Sequence, residues 1–296
     1  MKLYVWGDET RNFGDELNYW LLPKVFPGLF DEDDSELFLG IGSTLFDFHP
    51  KASQKIVFGA GYGGYTAAPT LDQSWRVYCV RGPRTARALG LTADRIAGDT
   101  AILIRNHRQP AVAAGRGFSF MPHCHSVERG NWAKACELAG VRFIDPTAPV
   151  DEVLEAVEAS GTLIAEAMHG AIVADALRVP WIPVLPVKGT HRMKWHDWAE
   201  ALDLKLAPSP LWPSSLAEAW VTARGGKGEG GPLTKAKGAL RAGVQVLDWP
   251  FVRLAAARLG QLTRLQPMQS SDQAIDRALD RLESRAGEIR RDYPRG

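Results

Sequence analysis

Short apolar runs that end in glycine or a charged residue alternate with stretches of helical period through most of the chain. KLYVWG, ELFLGIGS, KIVFGAGYGG and RVYCVRG read as strands, and RIAGDTAILI as a strand broken at Gly98 and Asp99. NFGDELNYWLLPKVF has a helical pattern as far as Pro23, and PRTARALG is a short helix stopped by Gly90. The alternation restarts after RNHRQPAVAAGRG. GFSFMPHCHS is a strand with a polar tip, RGNWAKACELAG a helix closed by glycine, and VRFIDP a strand. APVDEVLEAVEASG is a helix with Asp151 and Glu152 in its first turn, where the dipole favours them. TLIAEAMHGAIVADALR is a strand, a joint and a helix; PWIPVLP is a strand and HDWAEALD a short helix. Strands with helices between them predict α/β architecture with parallel sheets. The restart predicts two such units, without a sequence repeat, divided near residues 106–117. The expected domains are residues 1–110, residues 111–210, and a linker with a helical tail over 211–296.

The last segment has a different texture. APSPLWP (207–213) reads as a stiff connection and GGKGEGG (225–231) as a flexible loop. In SDQAIDRALDRLESRAGEIRR, Ile275, Leu279, Leu282, Ala286 and Ile289 form one stripe at four-three spacing. That predicts an amphipathic helix packed on the body, with a partner or membrane contact as the other use of such a stripe.

The joint in AEAMHGAIVADAL stands out. Leu163 and Ile164 end a buried strand, and Ile172, Val173, Ala176 and Leu177 begin the core face of a helix. His169 and Gly170 lie between them, where unpaired N–H groups and the positive end of a helix dipole suit an anion. A histidine there adds a hydrogen bond or a proton.

Open parallel sheets bind ligands at the carboxyl ends of their strands. In the first unit those positions hold Asn12, Gly14, Asp15 and Asn18, then Gly42 and Ser43, Gly59 to Gly64, Arg81, Arg84 and Asp99. In the second they hold His123, His125 and Ser126, then Glu166, Met168, His169 and Gly170, then Lys188, His191, Lys194 and His196. Arg81 follows the apolar run VYCV directly, where a guanidinium can hold a carboxylate or phosphate through two parallel hydrogen bonds, or form a surface ion pair. Asp15 suits a base toward a sugar hydroxyl and equally a first-turn residue favoured by the dipole. Alternation along a strand places His123 and His125 on one face and Cys124 on the other. No third ligand follows at local spacing, so no metal is expected, and thiol chemistry is disfavoured. GAGYGG lacks the spacing of a dinucleotide or P-loop fingerprint, and there is no G-x-S-x-G elbow.

Composition narrows the classes. The 296 residues are 45% hydrophobic and 23% charged, as in an ordinary globular protein. A net charge of +1 gives nucleic-acid binding no bulk support. The cysteines, Cys79, Cys124 and Cys136, are odd in number and match no zinc motif, which fits a reduced cytoplasmic chain. No leader or membrane-spanning run is read in the sequence. The ten tryptophans are assigned to core filling ahead of sugar stacking.

In order, NFGDELN, GIGS, VRGPRTA, GDTAIL, PHCHS, EAMHGAIVADALRVPWIPV and KWHDW make a combination that resembles the polysaccharide pyruvyltransferase family. It is most similar to the branch acting on bacterial exopolysaccharides such as succinoglycan. The resemblance covers roughly residues 1–205, and MHGAIVADALRVPWIPV is its most specific piece. It implies two Rossmann-like domains facing across a cleft, as in GT-B glycosyltransferases, with the acceptor on the first and the donor on the second. It implies transfer of the pyruvyl group of phosphoenolpyruvate to two hydroxyls of a sugar, forming a cyclic ketal and releasing phosphate. His169 matches the family's donor-holding histidine and Met168 the apolar residue before it. Ala167 stands where many members carry arginine, so the second cation is expected from Arg81, Arg84 or Lys194.

The resulting expectation makes His169, Asp15 and His123 catalytic. Arg81, Arg84, Met168, Gly170, Asn12, Gly14, Ser43, His125 and Lys194 bind substrate. No cofactor or metal is implied beyond phosphoenolpyruvate as donor. The expected acceptor is a sugar or a lipid-linked oligosaccharide, which would place the work at the inner face of the cytoplasmic membrane, with a peripheral contact through the tail helix. Homo-oligomerisation stays open. Two alternatives remain: a GT-B glycosyltransferase using a nucleotide sugar, for which Glu166 is the candidate ribose-binding acid, and a non-catalytic carbohydrate-binding relative.

Overall fold

The computed structural model describes residues 1–7, 10–108, 116–185, 192–223 and 247–294. Two four-stranded parallel sheets organise the chain. The first contains β1 (Lys2–Tyr4), β2 (Glu36–Leu39), β3 (Gln54–Phe58) and β4 (Trp75–Cys79), side by side in chain order. The second contains β5 (Phe118–Met121), β6 (Arg142–Phe143), β7 (Thr162–Ala165) and β8 (Trp181–Pro183), in the order β6-β5-β7-β8. The chain thus leaves β5 toward one side and returns to the other. That reversal opens a crevice at the carboxyl ends of β5 and β7. The first sheet has no such reversal.

Alternation along the strands explains the layering. Phe38, Ile56, Phe58 and Tyr78 face one cluster, and Leu39, Val57 and Val80 another. In the second sheet Leu163, Ala165 and Trp181 face the first cluster, and Phe120, Ile164 and Ile182 a third. The first cluster is shared by the two units. It takes in α1 (Phe13–Val25), α5 (Val150–Glu158), α6 (Met168–Ala176) and the C-terminal α10 (Asp272–Asp292). The two halves are therefore packed on one core where they meet.

Remaining helices are α2 (Pro83–Ala88), α3 (Cys124–Arg129), α4 (Trp132–Ala139), α7 (Arg192–Ala201), α8 (Leu216–Ala223) and α9 (Trp249–Leu262). Three expectations change. The helix read as ending at Pro23 runs on to Val25, because proline in the last turn costs a single ladder bond. RIAGDTAILI is a strand only at Ile96, which bridges Val80; from Thr100 to Asn106 it is a 3-10 helix, capped by the Asp99 carboxylate accepting from the Ala101 N–H. HCH is not strand: β5 stops at Met121, and His123 caps α3. Most of the expected boundary at 106–117 and all of GGKGEGG lie outside the described residues.

The tail helix packs on the body as its stripe predicts. Ile275, Leu282, Ala286 and Ile289 are fully buried, each aliphatic one contributing roughly 1.5–3 kcal/mol. It returns to the first sheet, where Asp292 receives hydrogen bonds from Arg76 and Tyr78. Asp175, buried in α6, anchors the approach by accepting from the Ser270 N–H and hydroxyl. No described helix is long and apolar enough to cross a membrane.

Candidate functional site

The carboxyl ends of the two sheets meet at α6. Its cap is Ala167, and His169 stands in its first turn. Gly170 lies against the sulfur of Met121, where any Cβ would overlap it. Met168 is buried in the core. The imidazole of His169 reaches across to the first unit. There Gly14, in the first turn of α1, touches it so closely that a Cβ would occupy the ring's space.

The NFGDELN motif builds that approach. Asn12 caps α1 by accepting from the Gly14 N–H at 3.2 Å, and its amide donates to Asp15 at 2.9 Å. Asp15 thus sits in the first turn, as the dipole favours. Asn18 is fully buried and clamps α1 to GIGS, accepting from the Ile41 N–H and donating to the Ile41 carbonyl. Gly14 is held at His169 by both ends of the motif.

Beyond the ring lies Asp99. Its Oδ2 is 3.8 Å from Nε2 of His169. Both atoms are buried, and neither has a hydrogen-bond partner. Asp99 is fully buried, and desolvation pushes its carboxyl up to about 6. Burial, with Lys194 and Arg81 as neighbouring cations, pushes the His169 imidazole down to about 3. At neutral pH the unliganded site therefore holds a neutral imidazole beside a carboxylate. Lys194 and Arg81 also act on Asp99, favouring its charged form.

Arg81 is at the site, but its charge is already partnered. It is fully buried and forms an ion pair with Asp197 of α7 at 3.1 Å, and it donates to the Ser43 hydroxyl at 3.1 Å. Gly61 packs flat on the guanidinium. Asp197 also accepts from the Thr85 N–H and hydroxyl at the start of α2. This carboxylate binds the second unit to the first. Among the described residues Lys194 has no ion-pair partner, so it is the cation available beside His169.

Arg84 is placed elsewhere. Its guanidinium forms a forked pair with Glu200, 2.6 Å at the shortest, at the surface. His123 and His125 stand at the start of α3, just past β5, and Cys124 does not point away from them. The turn into α3 brings its sulfur to 3.5 Å from Nδ1 of His123. The three side chains offer ligand atoms within 4.8 Å of one another. They could give a soft ion three ligands, although Nδ1 of His123 already accepts the His125 N–H. Glu166 is buried beneath them, accepting from the His123 N–H and the Ser126 hydroxyl. Lys188 and His191 lie outside the described residues.

Sequence reasoning thus placed His169, Gly14, Asn12, Arg81, Ser43 and Lys194 in one neighbourhood. Asp99 it recorded only as a strand-end carboxylate, and Asp197, within KWHDW, it passed over. The signal for Asp99 is GDT itself: an acid one residue before a threonine at a helix start is a cap, and caps at sheet ends face sites.

Comparison with known proteins agrees with the motifs. The succinoglycan biosynthesis protein ExoV of Rhizobium meliloti (strain 1021) is 32% identical over 317 residues, spanning 99% of this chain and 100% of the relative. No family model matches the chain, and no solved structure matches it.

Proposed function

The chain belongs to the polysaccharide pyruvyltransferase family, and we propose that it moves the pyruvyl group of phosphoenolpyruvate onto two hydroxyls of a sugar in a bacterial exopolysaccharide or its precursor. The observation that carries this reading is the buried pair of atoms His169 Nε2 and Asp99 Oδ2, neither with a hydrogen-bond partner, beside Lys194 at the start of α6. Phosphoenolpyruvate presents a phosphate and a carboxylate close together. Fixed N–H groups at a helix start and a neighbouring cation such as Lys194 oppose such charge.

The reaction needs a proton on the enol methylene, which makes the adjacent carbon electrophilic. One sugar hydroxyl attacks that carbon, phosphate leaves, and a second hydroxyl closes the ketal. His169 is neutral before the donor binds. The donor's negative charge favours the imidazolium and so raises its pKa. His169 then holds the proton that the methylene takes, while Asp99 orients the ring and stabilises the charge. Their 3.8 Å separation is longer than a hydrogen bond, and such contacts tighten when substrate binds. In this reading Asp15 or His123 takes the protons that the attacking sugar hydroxyls give up. The transfer proceeds within the chain's own acid–base groups, with no metal step.

The nucleotide-sugar alternative loses its acid. Glu166 is buried and engaged at the start of α3, accepting from the His123 N–H and the Ser126 hydroxyl. The test is phosphate release from phosphoenolpyruvate in the presence of unpyruvylated exopolysaccharide oligosaccharides. We expect release that depends on both reactants, and His169→Ala to lower it by about 10²–10⁴-fold with an unchanged melting profile. Consumption of a nucleotide sugar with indifference to phosphoenolpyruvate would overturn the assignment.

A further inference from the structure

The apolar stripe of α10 is spent on the first unit, so the tail helix has no face left for a bilayer. A different surface carries that chemistry. Helix α9 buries Val252, Ala255, Leu259 and Leu262 on one side, against α4 and the second sheet. At about 100° per residue, Arg253 and Leu254 fall on the opposite half; Trp249 opens the helix, Arg264 and Leu265 follow its end, and all five are exposed. Leu254 is 53% and Trp249 45% exposed, which no interior packing requires.

Charge identifies the partner. Between Pro208 and Ala223, and between Leu247 and Ser271, the acidic residues are Glu218 and Asp248, and both are buried. The cations of the same stretches are Arg253, Arg258 and Arg264. Arg253 lies over the Trp249 ring and Arg258 over that of Trp212, at 5.8 and 5.7 Å. On neighbouring α4, Glu137 is already paired with Lys134 at 2.8 Å. Among the described residues of these stretches the surface is thus apolar, aromatic and positive, with no exposed acid. Tryptophan beside arginine on the outer half of a helix suits the headgroup region of a bilayer, and anionic lipid supplies the missing negative charge.

We propose that this outer face of α9, with Trp212 at its flank, docks the protein on an anionic lipid surface. The proposal is independent of the reaction assigned above, since vesicle binding and turnover are separate measurements. Flotation with phosphatidylcholine vesicles, with and without phosphatidylglycerol, tests it. The intact protein is expected to float with the anionic vesicles at low salt, to detach as salt rises, and to ignore the neutral ones. Arg253→Glu combined with Arg264→Glu should weaken partitioning by more than about fivefold for each arginine. Leu254→Gln should weaken it without changing the salt dependence. Arg281→Glu combined with Arg291→Glu makes the same charge change on α10 and should leave binding intact. Melting curves establish that each variant is folded. Failure to float with anionic vesicles would overturn the proposal, even if an acidic protein were captured instead. So would equal losses in the two double variants, or equal binding to neutral vesicles.

Discussion

The two halves are both parallel sheets, yet they bring different things to the site. In the second, β5 lies between β6 and β7, so the connections from the carboxyl ends of β5 and β7 run in opposite directions and α6 begins at the gap. In the first, β1 to β4 follow one another and no gap forms. The second half therefore presents the His169 imidazole and a helix start. The first half presents loops shaped to receive them: the bare backbone of Gly14, the capping carboxylate of Asp99 and the flat seat of Gly61. Strand order decides which half carries His169 at a helix start, and the other half packs around it.

The largest effect on that division should come from Asp197→Ala. This carboxylate joins α7 to Arg81 and to the start of α2. Removing one member of a buried pair leaves an uncompensated charge and costs about 3–5 kcal/mol. Denaturant melts should show that loss. Replacing Arg81 and Asp197 together by Met and Leu should recover most of the stability but not turnover. If Asp197→Ala melts like the wild type, the halves are held by other contacts.

Next comes Asp99→Asn, which tests whether the first half stores strain for the second. The folded carboxyl titrates near 6 instead of 3.8. A raised acid stabilises the fold fully below its unfolded pKa, and that contribution is lost as pH rises through the folded value. Two units correspond to about 3 kcal/mol. The asparagine variant should therefore gain on the wild type by up to that amount between about pH 3 and pH 7, a window that brackets the two pKa values, while losing turnover. Parallel stability curves for the two proteins would show that Asp99 is not held against its charge.

Gly14→Ala should act through position rather than chemistry. Alanine favours a helix by up to about 1 kcal/mol over glycine, so α1 itself should persist. The added carbon falls where the His169 ring stands. Displacing the ring by a fraction of its width should lower turnover about 100-fold, with little change in melting. Unchanged turnover would mean that His169 works in another rotamer.

These residues also mark how far the sequence could be read. The elements were legible because apolar period and glycine punctuation are local signals. β7, the joint and α6 read correctly from AEAMHGAIVADAL. The tail stripe did too. What the sequence did not carry was contact between distant segments. Nothing near Asp197 says that its partners are Arg81 and Thr85, some 110 residues earlier. HCH was misread for a local reason. Strand alternation was carried past Met121, where the chain had already turned into a helix. Arg81 and Arg84, three residues apart, looked alike in the sequence until the fold gave one a buried carboxylate and the other an exposed one.

Arg84 supplies the smallest and sharpest test of the comparison. Arg81 and Arg84 flank the same turn, between β4 and α2, and both reach α7. Arg81 is fully buried, whereas Arg84 and Glu200 are 35% and 39% exposed. Solvent screens such a pair, and exposed pairs contribute about 0.2–1 kcal/mol even in good geometry. Arg84→Ala should thus lower stability by no more than that and leave the KM for phosphoenolpyruvate unchanged. Steady-state phosphate release at varied donor concentration measures it. A large rise in KM would return Arg84 to the donor site, and the first half would then contribute a cation as well as a frame.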